Sequence, residues 1–236
     1  MGTLFHLALT QPLFNLLVVL YKYVTVEDLG LAIILLTVIV RLLLYPVFYK
    51  GLKSQTLIQK IQPEVQRVQK QFKDDKQKQA EQLMALYKEN KVNPFSSLLY
   101  VLIQLPILIA VYRIFFHGLT TDTFTNLYSF VSAPATVSHI FLGVIDIAKP
   151  SIVIVVIAAL AQYWQSRLSI AKQSNQGQSG MQRAMVYMAP LLTLLVLPRL
   201  SAAVGLYWAT SALFSVAQQY LINKQLYGAN NPTRTS

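Results

Sequence analysis

The sequence predicts an all-α polytopic membrane protein, and three observations lead to that fold class. Hydrophobic residues make up 54% of the 236 residues and charged residues only 12%, whereas an average soluble domain carries about 25% charged residues. The charges are concentrated in a few segments that alternate with long apolar runs. The chain has no cysteine, and its three histidines lie far apart, so we expect no disulfide, no metal site and no cofactor.

Five apolar segments are candidates for helices that cross a hydrocarbon core of about 30 Å. We expect membrane spans at 29–49, 95–117, 151–167, 184–198 and 201–222. Only 17 uncharged residues separate Lys149 from Arg167, and only 15 separate Arg183 from Arg199. Those stretches are about 25 and 22 Å long as helices, so the bilayer should thin there or the arginines should reach back to the headgroups.

The basic residues predict the orientation of these spans. If segment 50–94 is cytoplasmic, fifteen lysines and arginines lie in the cytoplasm and three lie outside. Because positive residues are retained in the cytoplasm, we expect an N-terminus outside and a C-terminus inside a bacterial cell membrane. The connecting segments are then an external loop at 118–150, a cytoplasmic loop at 168–183 and a cytoplasmic tail at 223–236.

The N-terminal segment 1–28 has two interpretations. It is uncharged from Gly2 to Tyr21 and could span the membrane. No basic residue would hold its N-terminus in the cytoplasm, however, so we expect a helix that lies on the outer surface of the membrane. Its polar contacts with water would be made by Asn15, Lys22, Glu27 and Asp28.

Segment 50–94 is expected to form a helical hairpin in the cytoplasm. Ten basic and five acidic residues lie between positions 50 and 91. Apolar residues recur at helical spacing on both sides of Asp74-Asp75, which marks the turn, and Pro63 should break the first helix. Aromatic residues are scarce there, so specific nucleic-acid binding is not expected. The hairpin is a solvated element that enforces topology, or it docks on anionic headgroups or on a partner.

Arg41 is the residue within the spans that most needs an explanation. It lies eight residues from the inner end of its span, which is roughly 12 Å deep. An arginine near the bilayer centre costs about 2.5 kcal/mol or more, and no span contains an acidic residue that could pair with it. Arg41 therefore either extends to the inner interface as a topological signal, or faces a hydrated cavity.

Other polar residues favour the cavity because they accumulate in the inner halves of several spans. Singly they would be contacts between helices, but together they are tolerated around water. The candidate cavity residues are Arg41, Thr37, Gln104, Gln162, Gln165, Trp208, Ser211, Ser215 and Gln218. The sequence has no phosphate-binding glycine loop, metalloprotease motif or nucleophile–base pair, so we expect no enzyme.

Several motifs then resemble one family over nearly the whole chain. They are LGLAIILLTVIVRLLLYP (29–46), IQPEVQRVQKQFKDDKQK (61–78), LYKENKVNPF (86–95), LIQLPILIAVYR (102–113), FLGVIDIAKPS (141–151), and GLYW (205–208) followed by a Gln-Gln pair. In this order and spacing they resemble the YidC/Oxa membrane protein insertases of the compact, five-span bacterial type.

The resemblance implies a function, a site and partners. Five helices would enclose a hydrophilic groove open to the cytoplasm and to the lipid, and Arg41 would attract the short acidic external segment of a nascent membrane protein. The chain would act alone or with the Sec translocon and the signal recognition particle pathway, whereas its short tail argues against ribosome docking. The cytoplasmic hairpin would recruit substrates, and six of its basic residues are candidates for that role: Lys60, Arg67, Lys70, Lys73, Lys76 and Lys78.

Two other functions remain open at this point. A lipid scramblase or transporter could use the same arginine for anionic headgroups, and would move lipid in vesicles that contain no client. A structural assembly factor for a larger translocon would not depend on Arg41.

Overall fold

The structure, a computed structural model, describes residues 2–93, 95–117, 119–120, 122–169 and 180–228. It is mainly helical, with one short β-hairpin. The helices are α1 (Gly2–Phe5), a π-helical turn (His6–Thr10), α2 (Gln11–Tyr23), α3 (Leu29–Leu43), α4 (Tyr45–Lys60), α5 (Gln62–Gln71), α6 (Lys76–Glu89), α7 (Phe95–His117), α8 (Ile152–Ser169), α9 (Gly180–Val196) and α10 (Ala202–Gly228). Two of the fifteen basic residues that we expect in the cytoplasm, Lys172 and Arg234, lie outside the described residues.

The predicted span 29–49 is divided into two helices. Helix α3 ends at Leu43, and α4 begins at Tyr45 after a bend of 74°. Pro46 explains the break, because it has no N–H to donate to the carbonyl of Leu42 and its ring would clash with that carbonyl in a continuous helix. Helix α3 has 15 residues and is therefore about 22 Å long.

Membrane crossing can be assessed by length and hydropathy. Among the described residues, Thr3–Tyr23 and Ile152–Ser169 are each long and apolar enough to span, and the bent α3–α4 pair passes the same test as one unit. Leu102–Phe116 and Val186–Arg199 are shorter apolar helices. The arrangement of five spans stays a prediction, and so does the surface position of the N-terminal helix.

Helix α2 packs against protein on the face that we expected to be wet. Asn15 is buried: its Nδ2 donates to the carbonyl of Asn126 at 3.2 Å, and its Oδ1 accepts from the N–H of Tyr128 at 2.7 Å. The prediction that Asn15 contacts water was therefore wrong, because the segment between α7 and α8 folds over this helix. Lys22 also contacts that segment, through Ser132 Oγ at 2.6 Å.

The basic segment 50–94 contains the larger part of α4 and two further helices, α5 and α6, which are joined by a tight turn. Helix α4 ends at Lys60 and α5 starts at Gln62, with Pro63 in its first turn. The carboxylate of Asp75 accepts from the N–H of Lys78 at 3.0 Å and so caps α6. Gln79 Nε2 donates back to the carbonyl of Gln69 at 2.8 Å, which ties α6 to α5.

The β-hairpin lies at the start of α3, at the opposite end of that helix from α4. Strand β1 (Ile140–Phe141) pairs antiparallel with β2 (Ile145–Asp146). The ring of Phe141 covers Gly30 so closely that a Cβ there would lie 2.1 Å from Phe141 Cδ2. Lys149 Nζ lies 2.9 Å from Asp146 Oδ2, and this hydrogen bond lowers the pKa of Asp146.

Candidate substrate groove

Arg41 is buried on the inner face of α3. Its side chain is only 3% exposed, and its guanidinium carbon lies 4.4 Å from the centre of the Phe48 ring. Phe48 lies in the first turn of α4, so this contact is made across the bend at Leu44. Nη1 is buried and has no hydrogen-bond partner within the described ranges. Neither of the two ion pairs in the described part of the chain includes Arg41, so its charge is available to another group.

Thr37 lies one turn before Arg41 and is also buried. Its Oγ1 donates to the carbonyl of Ile33 in its own helix at 2.6 Å. The hydroxyl proton of Thr37 is therefore already used within α3. The hydroxyl oxygen can still accept a hydrogen bond from a group in the candidate groove.

Gln104 connects α7 to α10. Its Nε2 donates to the hydroxyl of Tyr207 at 2.7 Å, while its Oε1 is buried and has no partner in the described part of the protein. Tyr207 is buried in the main core cluster. This hydrogen bond ties Gln104 to α10 and leaves the Oε1 of Gln104 as an unused acceptor.

Gln162 joins α8, α9 and α10. In the amide orientation that satisfies every partner, its Nε2 donates to the carbonyl of Ala189 at 2.9 Å and to Thr193 Oγ1 at 2.6 Å, and its Oε1 accepts from Trp208 Nε1 at 2.5 Å. The structure thus brings two predicted groove residues, Gln162 and Trp208, into direct contact. Gln165, one turn further along α8, is half-buried.

Helix α10 carries a row of buried polar residues at helical spacing. Ser211, Ser215 and Gln218 are each no more than 5% exposed and recur at intervals of four and three, which places them on one face. Ser215 Oγ donates to the carbonyl of Ser211 at 3.0 Å. The hydroxyl of Ser211 and both polar atoms of the Gln218 amide have no hydrogen-bond partner among the residues that the structure describes.

Unpaired buried polar atoms concentrate in the predicted groove. The described residues contain seven such side-chain atoms, and five of them belong to Arg41, Gln104, Ser211 and Gln218. A buried polar group without a partner costs about 1–3 kcal/mol. Several on neighbouring helices are stable only where water or a polar guest can satisfy them. Helix α10 packs against α3, α7 and α8, so the helices that carry these atoms are adjacent.

Sequence reasoning missed a second buried polar network, next to the candidate groove. Gln219 is fully buried; its Nε2 donates to Thr56 Oγ1 at 2.8 Å and to Asn223 Oδ1 at 3.1 Å. Asn223 Nδ2 in turn donates to the carbonyl of Leu168 at 2.6 Å. This Thr56–Gln219–Asn223 network joins the stalk of the basic hairpin, α4, to the ends of α8 and α10. The Gln-Gln pair was visible in the sequence, but its partner on α4 was not.

Comparison with known proteins identifies the family. The family model described as 60Kd inner membrane protein matches residues 19–229, most of the chain. The chain belongs to this family. The resemblance to the YidC/Oxa insertases is thereby confirmed.

Relatives named membrane protein insertase YidC match nearly the whole chain. The relative from Clostridium tetani is 34% identical over 230 residues, which cover 94% of this chain and 97% of the relative. The relative from Helicobacter pylori is 31% identical over 87% of this chain, but over only 35% of its own, longer chain. This chain thus matches the full length of one relative and about a third of the other.

A solved structure supports the fold. A crystal structure described as an active YidC insertase with its first transmembrane domain resolved aligns with a TM-score of 0.61 and 26% identity. The alignment covers 89% of this chain and 46% of that chain. The helical membrane-protein fold of the YidC family is therefore shown for this chain.

The hairpin cations of this YidC-family chain are mostly exposed. Lys60 is half-buried at the end of α4, while Arg67, Lys70, Lys73, Lys76 and Lys78 are exposed. Lys78 Nζ lies 3.5 Å from Asp75 Oδ2. An exposed ion pair of this kind is weak and contributes little to stability. It therefore does not prevent the positive charges of the hairpin from attracting a partner.

Proposed function

We propose that this membrane protein insertase of the YidC family works through a cationic, hydrated groove around Arg41. The observation that carries the proposal is the burial of the Arg41 guanidinium against Phe48 without a carboxylate partner among the described residues. The groove would face the cytoplasm and receive the short acidic external segment of a nascent membrane protein. Thr37, Gln104, Gln162, Gln165, Trp208, Ser211, Ser215 and Gln218 would line or support it.

The groove lowers a desolvation barrier. An isolated carboxylate is strongly disfavoured in hydrocarbon, whereas a nearby cation in a partly dry site attracts it far more strongly than in bulk water. The unpaired polar atoms of Gln104, Ser211 and Gln218 would solvate the rest of the polar segment. Burial of the client's apolar span in lipid then drives the net step, so no nucleotide hydrolysis and no covalent chemistry are needed.

Short helices would make the crossing path shorter. Helix α3 has 15 residues and α8 has 18, which correspond to about 22 and 27 Å against a hydrocarbon core of about 30 Å. A bilayer that adapts to them is thinner next to the groove. The client's polar segment would therefore leave water for only a short distance.

The remaining topology and partners follow from the charges. We infer an N-terminus outside and a C-terminus inside a bacterial cell membrane, because the basic hairpin is then cytoplasmic. Its exposed cations, among them Arg67 and Lys70, would attract acidic clients or anionic headgroups before insertion. Cooperation with the Sec translocon and the signal recognition particle pathway belongs to the same proposal.

The proposal is tested by inserting a single-span client with an acidic N-terminal segment into proteoliposomes. Arg41→Ala should slow insertion roughly tenfold or more, since each 1.4 kcal/mol of lost stabilisation is a factor of ten, and Arg41→Lys should restore much of the rate. Arg113→Ala is the matched control, because Arg113 is an exposed arginine of α7 that stacks on Phe5 instead. Normal insertion by Arg41→Ala would refute the electrostatic role. Lipid movement without a client that also requires Arg41 would favour the scramblase function.

A further inference from the structure

The end of the molecule opposite the basic hairpin exposes a cluster of apolar side chains. They belong to the turn between α2 and α3 and to the β-hairpin: Val24, Val26, Ile140, Leu142 and Val144. Val26 is 90% exposed, Val144 83% and Leu142 62%. We call these five residues the apolar tip. No described part of the protein covers it.

The apolar tip is held rigidly against the start of α3. Asp28 accepts from the N–H of Leu31 through Oδ1 at 2.9 Å and from the N–H of Leu142 through Oδ2 at 2.8 Å. One carboxylate therefore caps α3 and fixes the β-hairpin to it. The close approach of Phe141 to Gly30 adds a packing contact at the same place. Thr25 Oγ1, which donates to the carbonyl of Asp28 at 2.8 Å, fixes the turn.

The residue types at the turns are unusual for a surface in water. Val26 and Leu142 both have a φ of 50°, in the left-handed region. Turns that need this conformation usually carry glycine, asparagine or aspartate, which adopt it at less cost. Here bulky apolar residues occupy it and point away from the core. A valine or leucine side chain at such an exposed turn position is favourable where its surroundings are apolar.

The apolar tip continues a surface that is already suited to lipid. Leu31, Leu35, Val38 and Leu42 recur at helical spacing along α3 and are at least partly exposed, whereas Arg41 lies on the buried face. Leu31 and Leu142 share the Asp28 carboxylate, so the exposed row on α3 continues directly into the tip. Glu27 is also exposed beside Val26 and limits how deep the turn can go.

We propose that the apolar tip inserts into the boundary between headgroups and acyl chains of the leaflet opposite the basic hairpin. It would anchor the first turn of α3 at a fixed depth, with Glu27 and the Asp146–Lys149 pair at headgroup level. The anchor goes beyond the proposed function and does not depend on Arg41 or on a client.

The absence of cysteine in the natural chain allows a direct test by single-site spin labelling. Leu142→Cys and Val144→Cys, each labelled, are reconstituted with the full chain into vesicles of phosphatidylethanolamine and phosphatidylglycerol. For each labelled variant, the rate at which the spin label collides with oxygen is compared with the rate at which it collides with a water-soluble nickel chelate. Leu42→Cys on the exposed row of α3 gives the lipid reference, and Lys78→Cys in the basic hairpin gives the water reference.

The proposal predicts that the ratio of the oxygen collision rate to the nickel collision rate at positions 142 and 144 is several-fold above that of the Lys78→Cys reference. It should approach the ratio of Leu42→Cys. The double variant Leu142→Asn, Val144→Asn should lower the ratio of a label at Val26→Cys, because it removes the anchor but keeps a residue suited to the left-handed turn at 142. Ratios equal to the water reference in these vesicles would overturn lipid insertion. The readout needs no insertion activity, so it separates failure of the anchor from failure of the groove.

Discussion

The guanidinium of Arg41 lies 4.4 Å from the ring centre of Phe48, across the bend between α3 and α4. A cation over an aromatic face is stabilised by about 2 kcal/mol or more when it is desolvated. This contact holds a buried charge in place without neutralising it. A carboxylate partner would have stabilised the arginine but would also have abolished its attraction for a client.

Phe48→Leu should therefore weaken insertion without unfolding the protein. Leucine keeps most of the apolar volume but removes the ring face, so we expect a loss of about 1–2 kcal/mol of stability and slower insertion of acidic clients. Phe48→Trp should retain activity if the site accommodates the larger ring. Insertion rates in proteoliposomes and thermal unfolding in detergent measure the two effects. Equal insertion by Phe48→Leu and the natural chain would show that the ring does not position Arg41.

The neighbouring residues Gln218 and Gln219 should respond in opposite ways to the same substitution. Gln219→Leu removes the hydrogen bonds from Gln219 to Thr56 Oγ1 and Asn223 Oδ1 and should cost about 1–3 kcal/mol of stability. The amide of Gln218 has no hydrogen-bond partner in the described part of the chain, so Gln218→Leu should leave thermal stability unchanged or raise it, while slowing client insertion.

Thermal unfolding and insertion assays on both variants separate a structural glutamine from a groove glutamine. In a double-mutant cycle, Thr56→Val should cost much less in the Gln219→Leu background than alone. If both glutamine variants lose stability equally, the assignment of Gln218 to the groove is wrong.

Gly30→Ala should destabilise the protein although alanine is the better helix former. In an unobstructed helix the change would stabilise by up to about 1 kcal/mol. Here the new Cβ would clash with the Phe141 ring, and overpacking of this kind costs about 1–3 kcal/mol. Chemical or thermal unfolding measures whether Gly30→Ala raises or lowers the stability of the protein. Phe141→Ala should remove most of the penalty, and a Gly30→Ala variant as stable as the natural chain would contradict the tight packing.

The exposed hairpin cations should control recruitment rather than folding. Lys70→Gln with Lys73→Gln should weaken crosslinking of acidic clients to the hairpin, by about 1 kcal/mol per removed charge near a charged surface. The effect should shrink at high salt. Lys88→Gln with Lys91→Gln is the matched control, because it removes two exposed charges from the same element outside the proposed set. Equal loss in both variants would indicate that only the net charge matters.

Arg41 and the fold class could be predicted from the sequence because a charge in an apolar run stands out without any tertiary information. The bend after Leu43 was not predicted, although Pro46 was visible, because the hydropathy of 29–49 continues through it. The burial of Asn15 depends on a distant loop folding over α2. The role of Gln219 depends on Thr56, 163 positions away. Periodicity identifies the face of a helix but not the neighbour that meets it.

A charge exchange between Arg41 and a client tests the central claim most directly. The measurement is insertion into proteoliposomes, without a membrane potential, of two clients that differ only in acidic or basic residues in the external segment. Arg41→Glu should block the acidic client and improve insertion of the basic client. Insertion of the acidic client at the normal rate by Arg41→Glu, or equal loss of both clients in a folded variant, would contradict electrostatic attraction by the groove.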